Sequence, residues 1–162
     1  MAQATAIAQV IRKNEQQILE QWLSLQQASA TSRADLIKER ELREQSREFL
    51  QHFLAALNAE SENIDVPAWK PVKELLAGIS RSRGIQGFTP AETAMFVFSL
   101  KQPLFDLLRK EIEDGETLAA QVWLMSVLLD KLGLYTTEIQ QQSRESVIAR
   151  QQTELLELST PV

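Results

Sequence analysis

Apolar residues recur along this chain at three-, four- and seven-residue steps, the spacing of one face of a helix. No segment alternates apolar and polar residues in β-branched company, so no strand is expected. Ile7, Val10, Ile11, Ile18, Trp22 and Leu25 place a first helix over residues 4–28, ended by a short loop at 29–32. Residues 33–59 read as one or two helices. They open on a charge-dense face with Glu39/Arg43 and Arg40/Glu44 at i,i+4, then carry a core stripe of Phe49, Leu50, Phe53, Leu54 and Leu57. Pro71 can open a further helix whose Val72, Leu75, Leu76 and Ile79 face inward, with a stop expected near Arg83-Gly84. Thr89-Pro90-Ala91-Glu92 is a capping box with proline at the first helical position. The helix it opens meets Pro103, where a kink is expected, and continues through Leu104, Phe105, Leu107, Leu108 and Ile112 to Asp114-Gly115.

The run from Thr117 to Leu129 departs from this pattern. Ten of its thirteen residues are apolar and they fall on every side of a helix. A helix apolar all round is covered all round; the chain's other helices can cover one flank, and a second copy of the chain is expected to cover the rest. Beyond it, residues 130–158 hold one glycine, Gly133, and no proline, so the helix can continue. From Thr117 to Leu158 it would measure about 63 Å, whereas a compact body built from the preceding residues would be about 35–40 Å across. The helix must therefore leave the body. One heptad frame in the tail holds Leu134, Gln141, Ile148 and Leu155, with Thr137, Arg144, Gln151 and Leu158 opposite, a weak coiled-coil seam. Val127, Leu128, Leu134, Ile148 and Leu155 are the candidates for dimer contact and transmission; a solvated linker is the alternative for the tail.

Composition narrows the classes. Net charge is −5 and the pI about 5.0, which disfavours nucleic acid as a partner. The absence of cysteine excludes disulfides and thiolate metal sites and fits a cytoplasmic protein. The N-terminus lacks a basic start followed by an apolar signal core, and thirteen strongly apolar residues are too few to span a bilayer, so no membrane partner is expected.

No residue pattern carries catalysis. Acidic pairs such as Glu111/Glu113 show no convergence, Ser80, Ser82 and Ser99 lack a nucleophile-elbow context, and no glycine-rich phosphate loop is present. The chain is therefore read as no enzyme, with no cofactor and no metal. His52, the one histidine, lies off the Phe49/Phe53 face and reads as a surface or boundary residue rather than a haem ligand. In Ile79-Ser80-Arg81-Ser82-Arg83-Gly84 the arginines complement a helix C-terminus; anion binding is the alternative. Trp69, Phe88, Phe96, Phe98, Phe105 and Trp123 read as core, with a ligand pocket as the alternative.

Several stretches resemble a known family. They are Glu41-Leu42-Arg43-Glu44-Gln45, Ile79-Ser80-Arg81-Ser82-Arg83, Gly87-Phe88-Thr89-Pro90 and the run from Phe98 to Phe105. Asp130-Lys131-Leu132-Gly133-Leu134-Tyr135, Ala149-Arg150-Gln151-Gln152 and the closing Glu157-Leu158-Ser159-Thr160-Pro161-Val162 complete the set. Together they resemble the N-terminal sensory domain of RsbR-type co-antagonist proteins of bacterial stressosomes. The resemblance implies an all-α, globin-like domain of five to seven helices without haem, homodimerisation, and a long C-terminal helix projecting into a STAS domain. It implies as partners the STAS-domain proteins of a stressosome and a serine/threonine kinase acting on that C-terminal domain. The expected organisation is a sensory and dimerisation domain over residues 1–135, a projecting linker helix over 136–158, and the start of a STAS domain at 159–162. A haem- or small-ligand-binding globin-like sensor is the alternative function; the signal or ligand is not specified by the sequence.

Overall fold

The computed structural model describes residues 2–29, 33–58 and 61–159. Among them are seven α-helices, one 3₁₀ turn and no strand: α1 (Ala2–Lys13), α2 (Glu15–Ala28), α3 (Glu39–Ala56), the 3₁₀ turn Pro67–Trp69, α4 (Lys70–Gln86), α5 (Pro90–Phe98), α6 (Lys101–Glu111) and α7 (Gly115–Ser159). The architecture is the all-α, globin-like one, with a long C-terminal helix. Most of the loop expected at 29–32, and the expected junction at 160–162, lie outside the described residues.

The expected first helix is two. At Asn14 the side-chain Nδ2 donates to the Val10 carbonyl at 2.8 Å while the Asn14 N–H reaches both Val10 O (3.2 Å) and Ile11 O (3.1 Å). A side chain competing for a helix carbonyl is how asparagine interrupts a helix, and Asn14 sits at φ −103°, ψ 19°. Ile11, Ile18 and Trp22 are buried as the spacing predicts, and Leu19 and Leu23 join them. The α3 stripe is buried throughout. Arg43 crosses to α2 and pairs with Glu20 at 2.6 Å, an exposed pair of small worth.

At the centre lies an aromatic cluster. The Trp22 ring is 5.1 Å from Phe96 and 5.8 Å from Phe49, and Phe53 continues it to Trp69 at 5.5 Å. Trp22 Nε1–H donates to Ser99 Oγ at 2.8 Å, so the buried indole has its partner. Ser99 and Leu100 separate α5 from α6. The kink expected at Pro103 is thus a break placed just before it, and Pro103 falls in the first turn of α6, where its missing N–H costs no helical bond.

The stop expected near Arg83-Gly84 falls later. α4 runs through Gly84 to Gln86 and ends at Gly87, whose φ of +105° suits only glycine. Phe88 N–H donates to Arg83 O (2.9 Å) and Gly87 N–H to Gly84 O (3.3 Å), the double closure of a Schellman motif. After it the capping box forms as predicted: Glu92 N–H donates to Thr89 Oγ1 at 3.1 Å and Thr89 N–H to Glu92 Oε1 at 2.9 Å. The Thr89 N–H, and after it Arg33, hold the Glu92 carboxyl below its usual 4.5. A lowered carboxyl stabilises the fold above its unfolded pKa, and that contribution is lost as pH falls through the folded value. Thr89→Ala should lower stability by about 1 kcal/mol, read as a shift in the urea midpoint at unchanged slope.

α7 extends about 68 Å. Its Leu124, Met125, Leu128, Leu129 and Leu132 are buried against the other helices, chiefly α4, α5 and α6. It also contains an 18-residue window of mean hydropathy 1.3, apolar enough by composition to cross a membrane. That apolar length exceeds the thirteen residues counted from sequence. In this fold 39% of the window is buried in the body, which is where the apolar residues of its inner face go.

Candidate functional site

The side of α7 turned away from the body is the surface that the chain's own helices leave uncovered. At seven-residue intervals Ala120, Val127, Leu134, Gln141, Ile148 and Leu155 form an outer line that drifts about 20° per heptad around a straight helix. Trp123 stands beside that line, 69% exposed, and Leu134 is 58% exposed. Ile148 and Leu155 are exposed and Val127 is half-buried. Leu128 is different: it is 0% exposed within a single chain and belongs to the inner face. Of the five candidates, four therefore lie on or beside the outer line and one packs inward. Trp123, grouped by sequence with the core aromatics, is exposed beside the outer line instead.

The root of the tail is held by a polar clasp. Gln140 is the last buried residue of α7. Its Nε2 donates to the Phe88 carbonyl at 2.6 Å, and its Oε1 accepts from the buried Thr93 hydroxyl at 2.6 Å. Both ends of one amide are thus used, one on the turn after α4 and one on α5. No spacing rule finds this pairing, because Thr93 and Gln140 are 47 residues apart. Between two and three turns earlier on α7, Lys101 pairs with Asp130 at 2.5 Å, and Lys131 donates to the Glu62 carbonyl at 2.8 Å. Every described residue from 144 onward is exposed.

A groove of about 550 Å³ lies where the tail leaves, lined by Ile85, Phe88, Pro90, Gln140, Val147 and Ile148 among others. Ile85 is 88% exposed there. The body thus ends in an apolar patch that continues onto the outer face of α7.

The remaining candidates scatter. Trp69, Phe88 and Phe96 are core residues, while Phe98 and Phe105 are half-buried. Of these aromatics only Phe88 and Phe96 border the cavity that also holds Arg83. His52 is half-buried on α3 and is not among the residues around that cavity. Among the described residues, no three His, Cys, Asp or Glu side chains are grouped to hold a metal ion. Arg83 stands in the last turn of α4, as expected of a residue complementing a helix C-terminus, but it is buried there, 3% exposed.

A family model described as the RsbT co-antagonist protein rsbRD N-terminal domain matches residues 16–155. No curated protein and no solved structure matches the chain.

Proposed function

Because the chain belongs to the rsbRD N-terminal domain family of RsbT co-antagonist proteins, we propose that it is the sensory and dimerisation module of a stressosome-type regulator, passing a signal along α7 to a C-terminal STAS output domain. It works without catalysis, in the cytoplasm, as a homodimer. Its further partners are STAS-domain proteins of the same assembly and a serine/threonine kinase that acts on the output domain.

The observation that carries this reading is the continuity of α7. One unbroken helix of 45 residues is buried on its inner face, apolar on its outer line and exposed along its tail. A core helix that ends with its domain has no use for the second and third of these properties. Two copies pairing along the outer line would cover Trp123, Val127 and Leu134, and would extend as a weak seam through Ile148 and Leu155. A straight helix drifts about 20° per heptad away from such a line, so pairing over several heptads requires left-handed supercoiling. Gln141, Arg144 and Gln151 in that seam keep the pairing weak enough to shift.

A helix carries phase, which supplies the test. In a chain bearing the output domain, seven residues inserted after Gln142 add about two turns and nearly restore facing. Four residues add about 1.1 turns and rotate everything downstream by roughly 40°. Phosphorylation of the output domain by its kinase, with and without stress, should stay regulated after the first insertion and become locked or scrambled after the second. Equal, wild-type behaviour of both would reduce the tail to a tether.

A further inference from the structure

Arg83 is 3% exposed, yet among the described residues no carboxylate is bonded to it. Its Nε and Nη2 both donate to a single acceptor, Gln45 Oε1, at 3.2 and 3.0 Å. The guanidinium carbon lies 4.7 Å from the centre of the Phe88 ring and 4.5 Å from that of Phe96, between two aromatic faces. Nη1 makes no hydrogen bond among the described residues and is not sealed from water, unlike the buried unsatisfied Gln86 Oε1. Glu41 acts on Arg83 through its charge, but its carboxylate accepts from Gln86 Nε2 at 3.2 Å instead. Burial pulls the guanidinium down to about 10, still far enough above neutrality to keep it charged. Bonded to one amide oxygen, held between two rings and attracted by Glu41 only through space, this buried arginine is a cation without an ion-pair partner among the described residues.

That cation borders a cavity of about 260 Å³. Phe88, Phe96, Ile37, Leu42 and Met95 give it an apolar lining. Two carboxylates reach its rim. Glu92 is neutralised by Arg33 at 3.1 Å and by its place in the capping box, and Glu39 is solvent-exposed at the start of α3. The buried positive charge is therefore not cancelled from inside. A cavity of about 150 Å³ accommodates benzene, so this one takes a molecule of about ten non-hydrogen atoms.

We propose that this cavity is the binding site for a small carboxylate with an aromatic or branched apolar body, its carboxylate on Arg83 Nη1 and its body against Phe88, Phe96 and Met95. The apolar walls distinguish such a ligand from inorganic phosphate, which would leave them wet or empty. The location adds a consequence: Phe88 stacks on Arg83 and its carbonyl is the acceptor for Gln140, at the root of the α7 tail. Only that consequence rests on the sensory reading. Binding is measured on this chain alone and tail transmission by the insertions, so either can fail without the other.

Isothermal titration of the 162-residue chain with benzoate, benzyl alcohol and inorganic phosphate is the experiment. Benzoate should bind one per chain, and the other two at least tenfold more weakly, the scale of a charge-assisted hydrogen bond. Arg83→Met, which keeps an unbranched side chain between the rings, should reduce benzoate affinity at least tenfold. Met95→Trp fills the cavity from its exposed edge, leaves Arg83 untouched and should abolish binding while the helical circular dichroism stays unchanged. Absence of benzoate binding, equal affinity for benzoate and benzyl alcohol, or full binding by Met95→Trp would each overturn the proposal. Phosphate binding as tightly as benzoate would overturn the apolar part of the ligand.

Discussion

Leu128→Glu is expected to unfold the protein, whereas Leu134→Glu, six residues further along the same helix, should leave it folded and split the proposed homodimer into monomers. Leu128 is fully enclosed by the chain's own core. Replacing it forfeits about 1.5–3 kcal/mol of apolar burial and forces a carboxyl group into an apolar interior at a further cost of several kcal/mol. Against a total stability of about 5–15 kcal/mol for a domain of this kind, the sum removes most or all of the folded state. Leu134 is more than half exposed in a single chain, so its replacement leaves the monomer's packing intact. In the proposed pair it faces its counterpart across the seam, where a carboxylate from each copy would be desolvated beside the other. Trp123→Glu should act in the same way and at least as strongly, since exposed tryptophans at the centre of interfaces carry about 2 kcal/mol or more. Circular dichroism reports folding and sedimentation velocity at micromolar concentration reports assembly. A wild type that sediments as a monomer, or a Leu134→Glu variant that remains a dimer, would remove the outer face of α7 as the interface.

Gly133→Ala is the second large effect, and its sign is informative. In an unconstrained helix the change gains about 1 kcal/mol. Here an added Cβ would lie 2.2 Å from Phe98 Cε1, 2.6 Å from Cζ and 2.9 Å from Cδ1, closer than real contacts allow. The ring must then leave its seat against α7 and its place beneath the Lys101 ammonium, 5.4 Å from the ring centre. Overpacking of this kind typically costs about 1–3 kcal/mol, which overrides the helical gain, so the variant should be less stable than wild type in urea. In a Phe98→Ala background the same substitution should become neutral or stabilising, a coupling that a double-mutant cycle isolates. Stabilisation by Gly133→Ala alone would mean that Phe98 yields freely and that the close approach of α5 to α7 is not required. Gly133 also supplies the carbonyl that accepts from the buried Thr136 hydroxyl at 2.6 Å, so the packing step lies just before the clasp at Gln140.

What the sequence determined by itself is whatever depends on neighbours within about one helical turn. The α3 stripe from Phe49 to Leu57 is legible because burial repeats at the helical period. The Thr89–Glu92 box is legible because donor and acceptor lie three residues apart, and α7 because nothing between Gly115 and Ser159 interrupts it. Tertiary structure alone decided the rest. The helix stop was expected near Arg83-Gly84. Only the assembled fold shows Gly84 within the helix beside Gln140 and Gly87 in the left-handed turn. Arg83 reads from sequence as a helix-end cation, and only the fold buries it, with α3 and α5 bringing Gln45 and Phe96 around it from 38 and 13 residues away. On α7 an all-round apolar run gives no phase to the hydrophobic pattern, so period alone cannot separate Leu128, inside, from Trp123 and Leu134, outside. The physical reason is the same in each case: local backbone and capping energies are written in consecutive residues, whereas the side on which a residue is buried is set by which distant helix packs against it.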